Sequence, residues 1–188
     1  MDVWEAIEKR RTIRQFTGKV PDAMLRRLIR AGSQAPSASN TQPWEFIIVD
    51  DRKIIDGIAE QKGKQEGLRG GRNRVAIEMG LYRNSSVVAI CIRKGGLSVA
   101  AAWTAAENIA LAATAEGFGC VMSIFGGEYK AAVEKLLGVP DTHELATVLA
   151  LGVPERIPPK VGVDRPEFSW LHFNRFGNTA GNEEINRG

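Results

Sequence analysis

The chain has 188 residues, of which 44% are hydrophobic and 25% charged, and its formal net charge is +3. That balance describes an ordinary globular protein able to bury a core without disulfides, and it predicts one domain over 1–188. The small positive charge tolerates a phosphate-bearing ligand but is too weak to argue for nucleic acid, and with no apolar run of membrane-spanning length and no signal-type segment the chain reads as cytoplasmic, with no membrane partner.

Asp2 is placed to cap a first helix with Val3, Trp4 and Ile7 on one face. This helix runs into RRTIRQF, where Arg10, Arg11 and Arg14 fall within five positions around the hydroxyl of Thr12. A guanidinium is a planar fork matched to phosphate oxygens. A solvated basic helix end, favoured by the macrodipole, uses the same residues. Pro21 suits the first turn of a second helix, with Leu25, Leu28 and Ile29 inward and Arg26, Arg27 and Arg30 outward. Gly32 and Pro36 end it. The loop APSASNTQPW follows. Ser37, Ser39, Asn40 and Gln42, held between Pro36 and Pro43, offer the donors and acceptors that the edge of a planar heterocycle needs. A plain helix-to-strand connection also favours these types. Trp44 reads as core, Glu45–Val49 as a strand, and Asp50 as the cap of a helix bearing Ile54, Ile55 and Ile58.

From Gln61 to Asn73 the periodicity lapses. Lys62, Lys64, Arg69, Arg72 and Arg74, relieved only by Glu66, read as a solvated basic loop over 61–74, whose functional version would be a substrate lid. No aromatic residue lies among them to stack a base. Ser86–Arg93 is a strand. Ser98–Glu116 is an alanine-rich helix, apolar on nearly every side, which belongs in the middle of a fold, and Gly117 stops it. Cys120–Phe125 is a strand flanked by Gly117, Gly119, Gly126 and Gly127, glycines that let backbone approach a ligand. A helix over Glu128–Leu137, a strand over Leu145–Val153, a proline-rich aromatic segment and a polar tail over 178–188 complete the chain. Strands and helices mix without strict alternation, which leaves α+β and mixed α/β both open.

Cys91 and Cys120 sit in apolar runs and read as reduced core residues. His143 and His172 are too isolated to hold a metal. Neither a G-x-G-x-x-G opening a helix nor a P-loop occurs, and no Ser-His-Asp or Cys-His arrangement is suggested. An enzyme built this way would rely on a bound cofactor for its chemistry.

EKRRTIRQF (8–16) followed by APSASNTQPWEFIIV (35–49) resembles the flavin-dependent nitroreductase family. AAENIALAATAEGFGCVMSIFGG, LALGVPE and DRPEFSWLHFNRF continue the resemblance over nearly the whole chain. The resemblance implies an α+β fold: a mixed sheet flanked by helices, a long apolar central helix, and a homodimer with FMN at its interface. Arg10, Arg11 and Thr12 match positions that hold the phosphate and ribityl chain, and Arg14 a basic position beside the pyrimidine ring. Pro36, Ser37, Ser39, Asn40 and Gln42 match a loop supplied by the other subunit. Gly126 and Gly127 match a turn facing the flavin's reactive edge, and Arg165 a late basic residue closing on the phosphate. The implied activity passes hydride from NAD(P)H through the flavin to a small acceptor such as a nitroaromatic, quinone or enone. Family variants perform reductive dehalogenation or flavin breakdown, and a flavin sensor without turnover is a further alternative. The stretch 61–74 falls where the family varies, and because no flavin motif falls inside it, deletion of Lys62–Arg74 is expected to change acceptor preference and leave FMN bound.

Overall fold

A computed structural model describes residues 1–68, 73–159, 165, 166 and 169–179. Two compact units appear, Met1–Ile157 and Pro158–Gly188.

Strand β3 (Ser86–Arg93) shows how the first unit is built. Its side chains alternate between two cores. Val88, Ile90 and Ile92 enter one, and Val87, Ala89 and Cys91 the other. β3 lies between β2 (Trp44–Val49) and β5 (His143–Pro154), antiparallel to both, with Phe46 opposite Ile90 and Val88 opposite Leu149. β4 (Gly119–Ser123) and β1 (Phe16–Lys19) also pair with β5 in antiparallel register. The sheet is therefore antiparallel, a correction to the mixed sheet expected above. Among the described residues, parallel pairing is confined to the isolated bridge Thr12–Cys120.

The first core lies under α2 (Asp22–Gly32) and α5 (Ser98–Ala115), with α1 (Val3–Lys9) packed on α5. The alanines of α5 let this helix sit close to the sheet while Gly32 of α2 meets it from outside. A Cβ on Gly32 would lie 2.7 Å from Ile109. Trp44 is buried in this core, as read. The second core lies under α3 (Arg52–Gly67), α4 (Arg74–Arg83) and α6 (Gly127–Leu137). Helices on both faces of an antiparallel sheet make an α+β sandwich. Among the described residues no helix is long and apolar enough to cross a membrane.

Caps follow the sequence closely. Asp2 accepts the amide of Glu5, and Gly117, at φ +81°, ends the last turn of α5. The cap of α3 is Asp51, not Asp50. Its carboxylate takes the amides of Lys53 and Ile54. Both cysteines are free and buried, and burial pushes the Cys91 thiol up to about 11 and the Cys120 thiol up to about 12, so both stay protonated and inert.

The basic loop over 61–74 is corrected. Gln61–Gly67 continues α3, and Arg74 opens α4. Arg69 and Arg72 lie outside the described residues. The helix is sustained by the i,i+4 pairs Glu60–Lys64 and Lys62–Glu66, each at 2.7 Å. Gly63 allows α4 to approach so closely that a Cβ there would meet the Val75 backbone at 2.5 Å. Arg83 grips Asp56 of α3 through two hydrogen bonds of 2.7 Å and holds its carboxyl below the usual carboxylate range.

In the second unit, Arg165 donates to Ser169 Oγ (3.2 Å) and to the Ser169 carbonyl, and Trp170 Nε1 donates back to the Arg165 carbonyl at 3.1 Å. Of the tail 178–188, residues 180–188 lie outside the described residues.

Candidate functional site

The arginine stretch is not helical. α1 ends at Lys9, and the chain then runs along the outer edge of β4, where the Ile13 amide donates to the Cys120 carbonyl at 3.0 Å. Ile13 is the anchor. It is buried, and Gly119 opposite it has no side chain because a Cβ would lie 2.6 Å from Ile13 Cγ1. Gly119 therefore serves packing, which corrects its reading as a point of ligand approach. Pinning Ile13 inward turns its neighbours Thr12 and Arg14 outward, and both are exposed. Arg14 has no ion pair among the described residues. Arg11 folds back onto the carbonyls of Glu8 and Arg10, and its Nε is buried without a partner. Arg10 is committed to Glu107 of α5 at 3.0 Å.

The loop from Pro36 to Pro43 is built on local hydrogen bonds. Ser37 Oγ accepts the Gln42 amide at 2.9 Å, and Gln42 Nε2 donates to Asn40 Oδ1 at 3.0 Å. Ser39, Asn40 and Gln42 all have positive φ, at 51°, 54° and 45°. Left-handed backbone at a residue with a Cβ costs about 1–3 kcal/mol, and such residues cluster at ligand clamps. Three of them in four positions, with exposed side chains, mark the loop as more than a connection.

Beyond β4 the chain turns through Ile124–Gly127 into α6. Gly126 and Gly127 are open, with nothing within 4 Å of a built Cβ, and Gly127 has φ +50°. They border a cavity of about 760 Å³, together with Lys62, Gln65 and Glu66 of α3, Met122, and Tyr129 of α6. Ser39 and Thr41 line a different cavity, beside Arg93, Lys94 and the start of α5. Within one chain, the arginine segment thus starts beside the first residues of β4 and runs parallel to it, so that Arg14 lies further along towards the glycine turn, and the Ser/Asn/Gln loop opens elsewhere.

The nitroreductase family model matches the sequence over residues 7–73 and 93–153, more than half of the chain. The chain belongs to the nitroreductase family. An Archaeoglobus fulgidus "putative NADH dehydrogenase/NAD(P)H nitroreductase" is 30% identical over 156 residues, which cover 79% of this nitroreductase-family chain and 83% of the relative. An oxidised iodotyrosine deiodinase bound to FMN and 3-iodo-L-tyrosine superposes with a TM-score of 0.79 at 24% identity, over 93% of this chain and 100% of that one. An FMN-dependent nitroreductase of Clostridium difficile superposes with a TM-score of 0.76 at 22% identity, over 91% and 98%.

Sequence reasoning placed Lys62 on a loop, did not single out Gln65 beside the same cavity, and missed Glu107 as the partner of Arg10. The alternation of Glu60, Lys62, Lys64 and Glu66 at i,i+4 spacing was the available signal for the helix that carries the first two. Glu78 of α4 was also unread. It is only 8% exposed, and burial raises its carboxyl pKa, with Lys62 and Arg74 pulling the other way. A carboxyl whose folded pKa is raised favours the folded state below its unfolded pKa and loses that contribution as pH rises through the folded pKa. Glu78→Gln is accordingly expected to raise Tm at pH 8. The gain should disappear near pH 4, as thermal scans at the two pH values would show. A gain that is larger at the acidic end would reverse the sign of this argument.

Proposed function

We propose that this protein is an FMN-dependent oxidoreductase that takes hydride from NAD(P)H and delivers electrons to a small acceptor such as a nitroaromatic, quinone or enone, working as a homodimer. The observation that carries the reading is the layout along β4. β4 spans about 16 Å; the arginine segment runs parallel to it from Thr12 opposite Cys120, with Arg11 at its start and Arg14 further along, and an open glycine turn over a cavity follows the end of the strand. That spacing suits an elongated ligand, anionic at one end and planar at the other. Arg11, with its unpartnered buried Nε, and Arg14, free of any ion pair among the described residues, fit the phosphate and the electron-rich ring edge. Arg10 supports them through Glu107. Thr12 is exposed beside them to meet the ribityl chain.

When bound, the flavin supplies the hydride chemistry. The chain's own groups hold the anion, place positive charge where the reduced ring becomes negative, and shape the cavity. Pro36, Ser37, Ser39, Asn40 and Gln42 serve the partner's flavin, which accounts for an exposed strained loop that lines a separate cavity in its own chain. The exposed apolar face of α1, with Val3, Ile7 and Trp4 at 73% exposure, supplies surface for the partner. We place Arg165 on the phosphate as well, on the strength of the DRP motif alone.

Purified protein should be yellow, or take up added FMN, and NADH or NADPH should bleach it. Arg14→Glu should weaken FMN by about ten- to hundredfold, the value of about 1.5–3 kcal/mol for a charge-assisted contact. Arg26→Glu, on the solvent face of α2, should change affinity little. Equal affinity in the two variants would remove Arg14 from the site, and a colourless protein that binds no FMN would end the reading. Reductive dehalogenation with the same cofactor is the second reading. The likeness to the deiodinase fold favours it, and an assay of halide release from 3-iodo-L-tyrosine separates the two.

A further inference from the structure

The stretch that breaks the sequence pattern, 61–67, reaches across to the glycine turn. Gln65 Nε2 donates to the Ile124 carbonyl at 3.0 Å, while Gln65 Oε1 accepts the Gly126 amide at 2.8 Å. One side-chain amide thus bonds the backbone on both sides of Phe125, as a neighbouring strand would. Lys62 Nζ adds a second donor to the Ile124 carbonyl at 3.1 Å, sits 5.6 Å from the centre of the Phe125 ring, and is held by Glu66 at 2.7 Å. α6 begins at Gly127 with no side-chain cap on Gly126. Its first amides, those of Gly127 and Glu128, have no acceptor among the described residues and belong to residues that border the cavity. With the Gly126 amide taken by Gln65, these two are the donors left for a ligand.

We propose that Gln65 is a positioning residue of the redox site: by clasping Ile124 and Gly126 it fixes the direction of the Gly127 and Glu128 amides towards the flavin's reactive edge, and Lys62 stiffens the same clasp. The inference rests on the FMN reading above. It keeps the expectation that removing Lys62–Arg74 leaves FMN bound and adds that the deletion frees the turn, because two of the deleted side chains hold it. Glycines that place backbone amides freely cannot hold them still, since Gly126 and Gly127 have no side chains to pack. The stiffness must come from another element, and α3 provides it through three hydrogen bonds of good length. A fixed donor set at an atom that gains charge in the reaction contributes more than a mobile one, because no reorganisation is needed when the charge arrives.

The test uses Gln65→Leu, which removes both bonds, Gln65→Glu, which keeps only an acceptor for the Gly126 amide, and Lys64→Met on the exposed face of α3 as a control. In flavin-free protein, hydrogen exchange at the Gly126 amide should quicken about tenfold in Gln65→Leu and stay near wild type in Gln65→Glu and Lys64→Met. In FMN-loaded protein, Gln65→Leu should keep its flavin, since the arginine end is untouched. Its flavin midpoint potential should shift to more negative values, and hydride uptake from NAD(P)H in single-turnover mixing should slow about tenfold, with Gln65→Glu between it and wild type. A Gln65→Leu protein with unchanged Gly126 exchange, potential and reduction rate would overturn the assignment. Wild-type protein that binds no FMN would instead overturn the functional reading, and the exchange result on flavin-free protein tells the two failures apart.

Discussion

Gly119→Ala should cost this protein most of its flavin affinity while leaving its helices and sheet in place. The added methyl group would lie 2.6 Å from Ile13 Cγ1 and 2.7 Å from Ile13 Cβ. Contact with Cβ is decisive. A rotamer change can move Cγ1, but Cβ moves only with the backbone, so the segment 12–14 has to leave the edge of β4. Its hydrogen bond from Ile13 to Cys120 goes with it. Ile13 is buried, so forcing it out costs about 1–3 kcal/mol of stability, the usual range for overpacking. The larger effect falls on the ligand. Arg11 and Arg14 flank the displaced residue, and losing even one aligned phosphate contact weakens binding about tenfold or more. Gly80→Ala in α4 is the matched control, because nothing lies within 4 Å of the new methyl group there and the residue is outside the proposed site. Titration of FMN into both variants, with hydrogen exchange at the Ile13 amide, reads the result. Wild-type affinity in Gly119→Ala would show that the arginine segment does not depend on its seat on β4.

The elements that a reader of the sequence can find are those whose signals are local. α2 has a clean apolar face with Leu25 and Leu28 buried, β3 is a nearly continuous apolar run rich in valine and isoleucine, and α5 is an alanine helix stopped by a left-handed glycine. β1 is four residues, Phe-Thr-Gly-Lys, with a glycine in the middle. It exists because β5 offers it a pairing edge more than a hundred residues later in the chain, and no window around residue 16 contains that fact. α4 was missed for the converse reason. Its amphipathic pattern is faint because Glu78 occupies a buried position and Val75 and Ile77 stay exposed. The site divides in the same way. The residue types of the arginine segment and the Ser/Asn/Gln loop are visible in one dimension, as chemistry concentrated in short runs. Which arginine is free and which is spoken for is decided by Glu107 on a distant helix. The clasp of the glycine turn by Gln65 joins residues that no motif connects. The apolar face of α1 was read correctly as a face, but this face points to solvent, so a pattern that usually indicates the chain's own core here leaves a surface for something else to cover.

Covering that surface with a second copy makes the strongest remaining prediction, because its outcome is close to all or none. One variant carries changes at Arg11 and Arg14, the other at Ser39 and Asn40, and each alone should bind little flavin and turn over little NAD(P)H. If each site takes its arginines from one chain and its Ser/Asn/Gln loop from the partner, a mixed dimer holds one site with both lesions and one with neither. A two-fold symmetric pair makes this exact complementarity unavoidable. With equal amounts and free exchange, about half of the dimers are mixed, so activity should return to about a quarter of the wild-type level. The alternative, in which one chain folds both motifs onto its own flavin, predicts no recovery at any ratio, since every site then carries a lesion from its own chain. In a single chain the Ser/Asn/Gln loop and the glycine turn open onto different cavities. Ser39 and Thr41 border the cavity at the start of α5, while Gly126 and Gly127 border the one beside α3. Size-exclusion chromatography with tagged and untagged variants confirms exchange independently. Confirmed exchange without recovered activity would assign each flavin to a single chain and leave the exposed face of α1 without the role proposed for it.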